Sequence, residues 1–198
     1  MNEVKTEKGS TIRDYRPDFA IYHPNGKGTG CALRMNLHPA HARRDGCIML
    51  ELANQKTIGD RRAAIPRFPT FDWENRLGVK LGFSDLCKML QVFRGEREDL
   101  EDGKGLYHRS ARFSTRIVLR HLLEPVQGYA LEIYRTSNGN SGADSCARIL
   151  LNTWEALGIA LAFEDSIGLI CFGVPQTNGA KVASRTDEEE EDDPIPAA

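Results

Sequence analysis

The chain has 198 residues, 40% of them hydrophobic, which is enough to bury one core with tails to spare. No apolar run reaches the roughly 18 residues that a membrane helix needs, and the polar first residues hold no apolar signal segment, so a membrane protein is not expected. The formal net charge of −2 hides an asymmetry: residues 187–193 are seven consecutive acids, and without them Lys and Arg outnumber Asp and Glu by five. A mildly basic body with an acidic tail fits either a polyanion binder or a body with a solubilising tail. The cysteines at 31, 47, 87, 146 and 171 are odd in number, scattered and mostly set in apolar runs. That pattern predicts buried, reduced thiols and a cytoplasmic location.

In chain order, residues 1–16 are charged and without apolar periodicity, and read as a mobile segment. Residues 19–22 make a first short strand, followed by a turn over 23–30 rich in glycine. In 31–37, Cys31, Leu33, Met35 and Leu37 alternate with Ala32, Arg34 and Asn36, the period of a strand. A basic loop over 38–45 leads to a third strand at 46–53, and a long connection over 54–70 follows. Phe71, Asp72, Trp73 and Glu74 then form an aromatic-acidic knot ahead of a strand at 77–81. Ser84 is the expected N-cap of a helix whose Leu86, Met89, Leu90 and Phe93 share one face. After a charged loop, 95–105, strands are expected at 106–109, 111–123, 128–136 and 145–151. Asn152 caps a second, longer apolar helix with Trp154, Leu157 and Leu161, and Glu155 at the third helical position completes a capping box. The pattern is four strands and a helix, twice: an α+β protein of two ββββα repeats over 17–173, with a disordered linker and acidic tail at 174–198.

The chemistry offers little to an enzyme. Gly26, Gly28 and Gly30 lack the spacing and the Lys-Ser/Thr of a phosphate-binding loop and read as a hairpin turn, with Lys27 at its tip. His38 and His41 have no third ligand nearby, so no metal and no cofactor is expected. Asp72 and Glu74 are either acid-base groups or loop-fixing hydrogen-bond acceptors. The row Arg112, Arg116 and Arg120 says more. Alternation sets all three on one strand face, with Tyr107, Tyr129 and Tyr134 on the same or neighbouring strands. Cations neutralise phosphates and rings stack on unpaired bases, so a basic, aromatic β-surface suits a single-stranded nucleic acid, while a solvated sheet face with ordinary arginines has the same pattern.

Taken together, the segments resemble the Whirly family of single-stranded DNA-binding proteins over roughly residues 19–173. Ile21-Tyr22 leads to Lys27-Gly28-Thr29-Gly30-Cys31-Ala32-Leu33-Arg34, similar to the family's aromatic strand and Lys-Gly-Lys-Ala-Ala-Leu-Ser segment. Arg44-Asp45-Gly46-Cys47-Ile48-Met49-Leu50 resembles its Arg-Gly strand. Phe71-Asp72-Trp73-Glu74-Asn75-Arg76 resembles its Tyr-Asp-Trp-Glu-Lys-Lys, and residues 148–173 its closing strand and helix. The resemblance implies two packed antiparallel sheets with helices at a homotetramer core. It also implies single-stranded DNA lying along the sheets and between protomers with little sequence preference. By position it points to Lys27, Arg34, Trp73 and Arg76.

The last residues, Glu191-Asp192-Asp193-Pro194-Ile195-Pro196-Ala197, look like the acidic tip of bacterial single-stranded DNA-binding proteins, with Ala197-Ala198 where those end in Phe. Such a tip implies competition with DNA for the basic surface, or docking of replication and repair proteins. The expectation is a non-catalytic, nucleoid-associated protein of DNA replication, recombination or repair. Lys27, Arg34, Arg76, Arg112, Arg116 and Arg120 would neutralise phosphates, and Tyr22, Trp73 and Tyr107 would stack on bases. The alternatives are a single-stranded RNA-binding or annealing protein and a single-stranded DNA-binding transcription regulator.

Overall fold

The computed structural model describes residues 19–41, 44–124, 127–138 and 144–175. Their chain order is β1 (Phe19–His23), β2 (Cys31–His38), β3 (Cys47–Thr57), β4 (Thr70–Phe71), β5 (Leu77–Leu81) and α1 (Phe83–Phe93), then β6 (Leu106–Arg109), β7 (Phe113–Leu122), β8 (Gly128–Ser137), β9 (Ser145–Leu151) and α2 (Thr153–Phe172). The first sheet runs β1-β2-β3, with β4 and β5 both paired to β3; the second runs β6-β7-β8-β9. Every pairing is antiparallel. Each sheet is followed by a helix, so the expected α+β fold of two ββββα units is what forms, with the two-residue β4 added to the first.

The alternation of each strand explains the packing. Ile48, Leu50 and Leu52 of β3, Leu77, Val79 and Leu81 of β5, and Leu131 and Ile133 of β8 are buried in one core shared by both sheets and both helices. Leu86, Met89, Leu90 and Phe93 of α1 join it. Each such side chain, taken from water, contributes about 1.5–3 kcal/mol. Phe93 bridges the halves: its ring lies 5.3 Å from Tyr129 and 6.1 Å from Phe163, and its carbonyl accepts from the Tyr129 hydroxyl at 3.0 Å.

Several local expectations change. The N-cap of α1 is Gly82, not Ser84, because Asp85 sits at the third helical position and its Oδ2 accepts from the Gly82 N–H at 3.1 Å. The third strand runs on to Thr57, since Gln55 is buried and Thr57 pairs with Thr70. Strand β7 begins at Phe113, leaving Arg112 in the turn, where its carbonyl accepts from the Asn138 N–H at 2.9 Å. Tyr129 belongs to the core rather than to a binding face. The thiols divide: Cys31 and Cys47 are buried, and burial pushes the Cys31 thiol up to about 12, but Cys146 and Cys171 are exposed.

Helix α2 has two apolar faces. Ala156, Ile159, Ala160, Phe163 and Ile170 are buried, whereas Trp154, Leu157, Leu161 and Phe172 stay exposed. Its start is capped as expected, with Asn152 Oδ1 accepting from Glu155 N–H and Glu155 Oε2 from Asn152 N–H, both at 2.9 Å. Its end is held by the loop before β3: the N–H groups of Ala40 and Gly46 donate to the carbonyls of Leu169 and Ile170 at 2.9 and 3.2 Å. That approach needs glycine, since a Cβ on Gly46 would stand 2.6 Å from the Ile170 Cα.

Candidate nucleic-acid interface

In β3, Met49, Glu51 and Ala53 alternate with the core residues Ile48, Leu50 and Leu52 and face away from that core. Glu51 therefore lies on the outer face of the first sheet, paired in register with Arg34 on β2 and Gly78 on β5. Arg34 reaches one carboxylate oxygen at 2.8 and 2.5 Å, and Arg76 Nε reaches the other at 2.5 Å. Arg76 also donates to the Trp73 carbonyl at 2.8 Å. Burial pushes the Glu51 carboxyl up, but the hydrogen bonds and charges of Arg76 and Arg34 outweigh it and hold it below the usual carboxylate range. The Arg34 guanidinium lies over the Trp73 ring, 4.6 Å from its centroid. Trp73 in turn meets Tyr22 edge-on at 6.4 Å, and Phe71 lies 5.5 Å from Tyr22. Tyr22 is 54% exposed, the open ring of this group.

The turn over 24–30 is pinned from below. Gln55 accepts through Oε1 from the N–H groups of Asn25 and Gly30, at 2.8 and 3.1 Å, and donates to the Asn25 carbonyl at 3.1 Å. Asn25 Oδ1 accepts from the N–H groups of Lys27 and Thr29, both at 3.0 Å. A Cβ on Gly30 would stand 2.3 Å from Gln55 Oε1, so only glycine passes there. The result is a hairpin turn that presents an exposed Lys27 beside β1.

The second sheet repeats the arrangement with different residues. Tyr107 on β6, 68% exposed, is in register with Arg116 on β7, and Arg116 with Tyr134 on β8. The Arg116 guanidinium sits over the Tyr134 ring at 4.8 Å. Glu132, buried at the centre of β8, accepts from the Tyr134 hydroxyl and lies 3.3 Å from Arg148 Nε and 4.0 Å from Arg120. That hydrogen bond, then burial, raises the Tyr134 phenol, keeping it neutral and a donor.

Of the nine residues singled out from the sequence, Tyr22, Arg34, Trp73 and Arg76 form one cluster on the first sheet, with Lys27 on the turn beside β1. Tyr107, Arg116 and Arg120 share the outer face of the second. Arg112 stands apart, in the turn before β7. Sequence reasoning passed over Glu51, Glu132 and Arg148. The signal was present: Leu50-Glu51-Leu52 and Leu131-Glu132-Ile133 each put one carboxylate inside an apolar strand, where only a paired acid is stable. Asp72, the other acid of interest, accepts from Asn75 through both carboxylate oxygens, which fixes the loop. Among the described residues no group of three or more His, Cys, Asp or Glu is placed to hold a metal ion, and no helix is long and apolar enough to cross a membrane.

No family model and no curated protein sequence matches the chain. Solved structures do. The crystal structure of WHY1 from Arabidopsis thaliana superposes with a TM-score of 0.63 at 15% identity, covering 80% of this chain and 86% of that one. The crystal structure of WHY3 from the same plant gives 0.60 at 15% identity, covering 79% and 89%. The fold is the Whirly fold. At this identity the likeness is one of architecture: the Whirly fold sets where the two outer sheet faces lie, and this chain's own side chains decide what those faces can hold. Here each Whirly sheet carries an exposed tyrosine on its first strand and arginines held around a buried glutamate.

Proposed function

We propose that the protein is a non-catalytic single-stranded DNA-binding protein with little sequence preference, acting in DNA replication, recombination or repair. One observation carries this: both outer faces place an open tyrosine ring, Tyr22 or Tyr107, beside guanidiniums fixed by ion pairs and rings. Duplex DNA hides its base faces, so a ring is useful only where bases are unpaired. Lys27, Arg34, Arg76, Arg116 and Arg120 supply the phosphate contacts, with Arg112 as an outlying one, and Trp73 props Arg34 and Tyr22. The acidic tail, which lies outside the described residues, competes for the same cations as a tethered polyanion. The test is titration of the full chain with single-stranded DNA, duplex DNA and single-stranded RNA across a salt series. Single-stranded DNA should bind tightest, log affinity should fall linearly with log salt, and removing residues 187–198 should tighten binding. Equal binding to duplex would sink the proposal, and tighter binding to RNA would move it to the RNA alternative.

The chain assembles through α2, and the tetramer is the favoured state. Trp154 is 78% exposed and lies with Leu157, Leu161 and Phe172 on the face turned away from the core. Such a stripe is stable in water when a second copy covers it. Leu157→Glu with Leu161→Glu should convert an oligomeric mass in light scattering to a monomeric one with the fold intact. A monomeric wild type at micromolar concentration would refute the assembly.

A further inference from the structure

Residues 58–69, between β3 and β4, take no part in the path proposed across the sheets, yet they form a built arm. At its base the Thr57 and Thr70 hydroxyls bond at 2.8 Å, and the Thr70 N–H donates to Thr57 Oγ1 at 3.0 Å. Further out, the backbones of Asp60 and Arg67 pair twice, at 2.9 and 2.8 Å. Asp60 Oδ1 then accepts from the N–H groups of Arg62 and Ala63, at 2.9 and 3.2 Å, which closes the tip. Gly59 packs so tightly that a Cβ there would lie 2.7 Å from the Pro69 ring. Pro66 and Pro69 fix two further φ angles. The chain loses little further freedom when this arm meets a ligand.

What the arm presents is unusual for a bare surface. Phe68 is 73% exposed and Ile65 80%. Arg61, Arg62 and Arg67 are all exposed, and none has a carboxylate partner among the described residues. The arm's one acid is Asp60, whose Oδ1 is occupied by the two backbone N–H groups. Such a surface invites a polyanion with exposed aromatic faces. The arm also adjoins the first sheet's aromatic group. It runs through Thr70 directly into Phe71, 5.5 Å from Tyr22. A groove of about 250 Å³, lined by Pro24, Asn25, Gly26, Ile58, Arg61 and Pro69, joins its base to the turn that bears Lys27.

We propose that residues 58–69 are a second binding element for the single strand that leaves the Tyr22 group, with Arg61, Arg62 and Arg67 on phosphates and Phe68 under a base. This rests on the single-strand function proposed for the sheets and adds to it a binding element beyond them. The arm lengthens the site: short oligonucleotides engage the sheets alone, and long ones engage the arm as well.

The experiment compares the full chain with Arg61→Gln/Arg62→Gln/Arg67→Gln and, separately, with Phe68→Ala, in an anisotropy titration against oligothymidylates of about 10 and about 40 nucleotides over a salt series. Each phosphate that a cation neutralises on a single strand adds about 0.7 to the steepness of log affinity against log salt, so the triple variant should be shallower by about 2 on the long oligomer and unchanged on the short one. Phe68→Ala should weaken the long oligomer about tenfold and leave the salt slope alone. Unchanged thermal midpoints verify that the exposed substitutions leave the fold intact. An unchanged slope on the long oligomer overturns the arm while leaving the sheet site standing, and so does a changed oligomeric mass with unchanged slope, which would make the arm an interface between copies. Equal losses on both lengths overturn an arm that lies beyond the sheets. A wild type that binds neither oligomer overturns the sheet site and the arm together.

Discussion

The two sheets solve one problem in two ways. Each has a glutamate at the centre of its third long strand, buried and facing outward, and each surrounds it with arginines. In the first sheet the arginines come from β2 and from the turn before β5, and they close on Glu51 at 2.5–2.8 Å. In the second they come from β7 and β9 and stand 3.3 and 4.0 Å from Glu132, which spends part of its capacity on the Tyr134 hydroxyl. Register accounts for part of the difference. Arg34 is directly opposite Glu51 and Arg148 directly opposite Glu132, but Glu132 has Val118 opposite it on β7 and takes its second arginine, Arg120, from two positions along. A tight triad holds guanidiniums in place at the cost of shared charge, and a loose one leaves more positive charge for a phosphate. The first sheet is the more ordered platform and the second the more available one.

Three measurements press on that contrast. The largest effect is on binding. Tyr107 stands as the open ring of the second sheet, so Tyr107→Ala should weaken single-stranded DNA binding by about 1–3 kcal/mol in a fluorescence titration. Tyr22→Ala should cost less, about 1 kcal/mol, because Phe71 is beside it to take up the base. The reverse order would show that the first sheet carries the strand. Next is stability. Glu51→Gln should lose about 2 kcal/mol in urea unfolding, and Glu132→Gln no more than about 1 kcal/mol, values already reduced for the partial exposure of the arginines. Equal losses would erase the distinction between tight and loose. The smallest effect is with acid. Glu51 has a folded-state pKa below its ordinary value of 4.5, so its stabilisation is complete above that pH and fades as pH falls through the folded value. The gap between wild type and Glu51→Gln should therefore be constant at neutral pH and close on acidification below about 4.5. A gap that closes above about pH 6 would point to another group.

The fold was largely readable because β2 and β7 show period-2 alternation, β3 opens on an apolar run, α1 carries a 3.6-period face, and α2 is a long apolar stretch with a capped start. Even the capping box at Asn152 and Glu155 follows from residue type alone. The outer sheet faces were readable only in part. Arg116 and Arg120 follow from alternation, but the same alternation placed Arg112 with them, since nothing local says that the strand starts at Phe113, two residues later than residue 111. Alternation along β8 sets Tyr129 with Leu131 and Ile133 and Tyr134 with Glu132, and the core ring is the one that shares the apolar side. Gln55 could not have been found from local pattern: its importance comes from a turn that lies 25–30 residues away in sequence. The same holds for Gly46, which is small because α2 ends against it.

The two tryptophans of this chain sit in the two places where something else is expected to arrive. Trp73 lies beneath a guanidinium at the first sheet's outer face, and Trp154 stands bare on α2. The protein thus carries its own optical reporters, and they are separable. A base seated against Tyr22 alters the emission of Trp73, and a second copy docking on α2 shifts Trp154 to the blue as water leaves its ring. With Trp154→Phe the remaining signal belongs to the strand, and with Trp73→Phe it belongs to the assembly. Recorded side by side over one titration, they tell whether the copies gather before the strand binds or because of it.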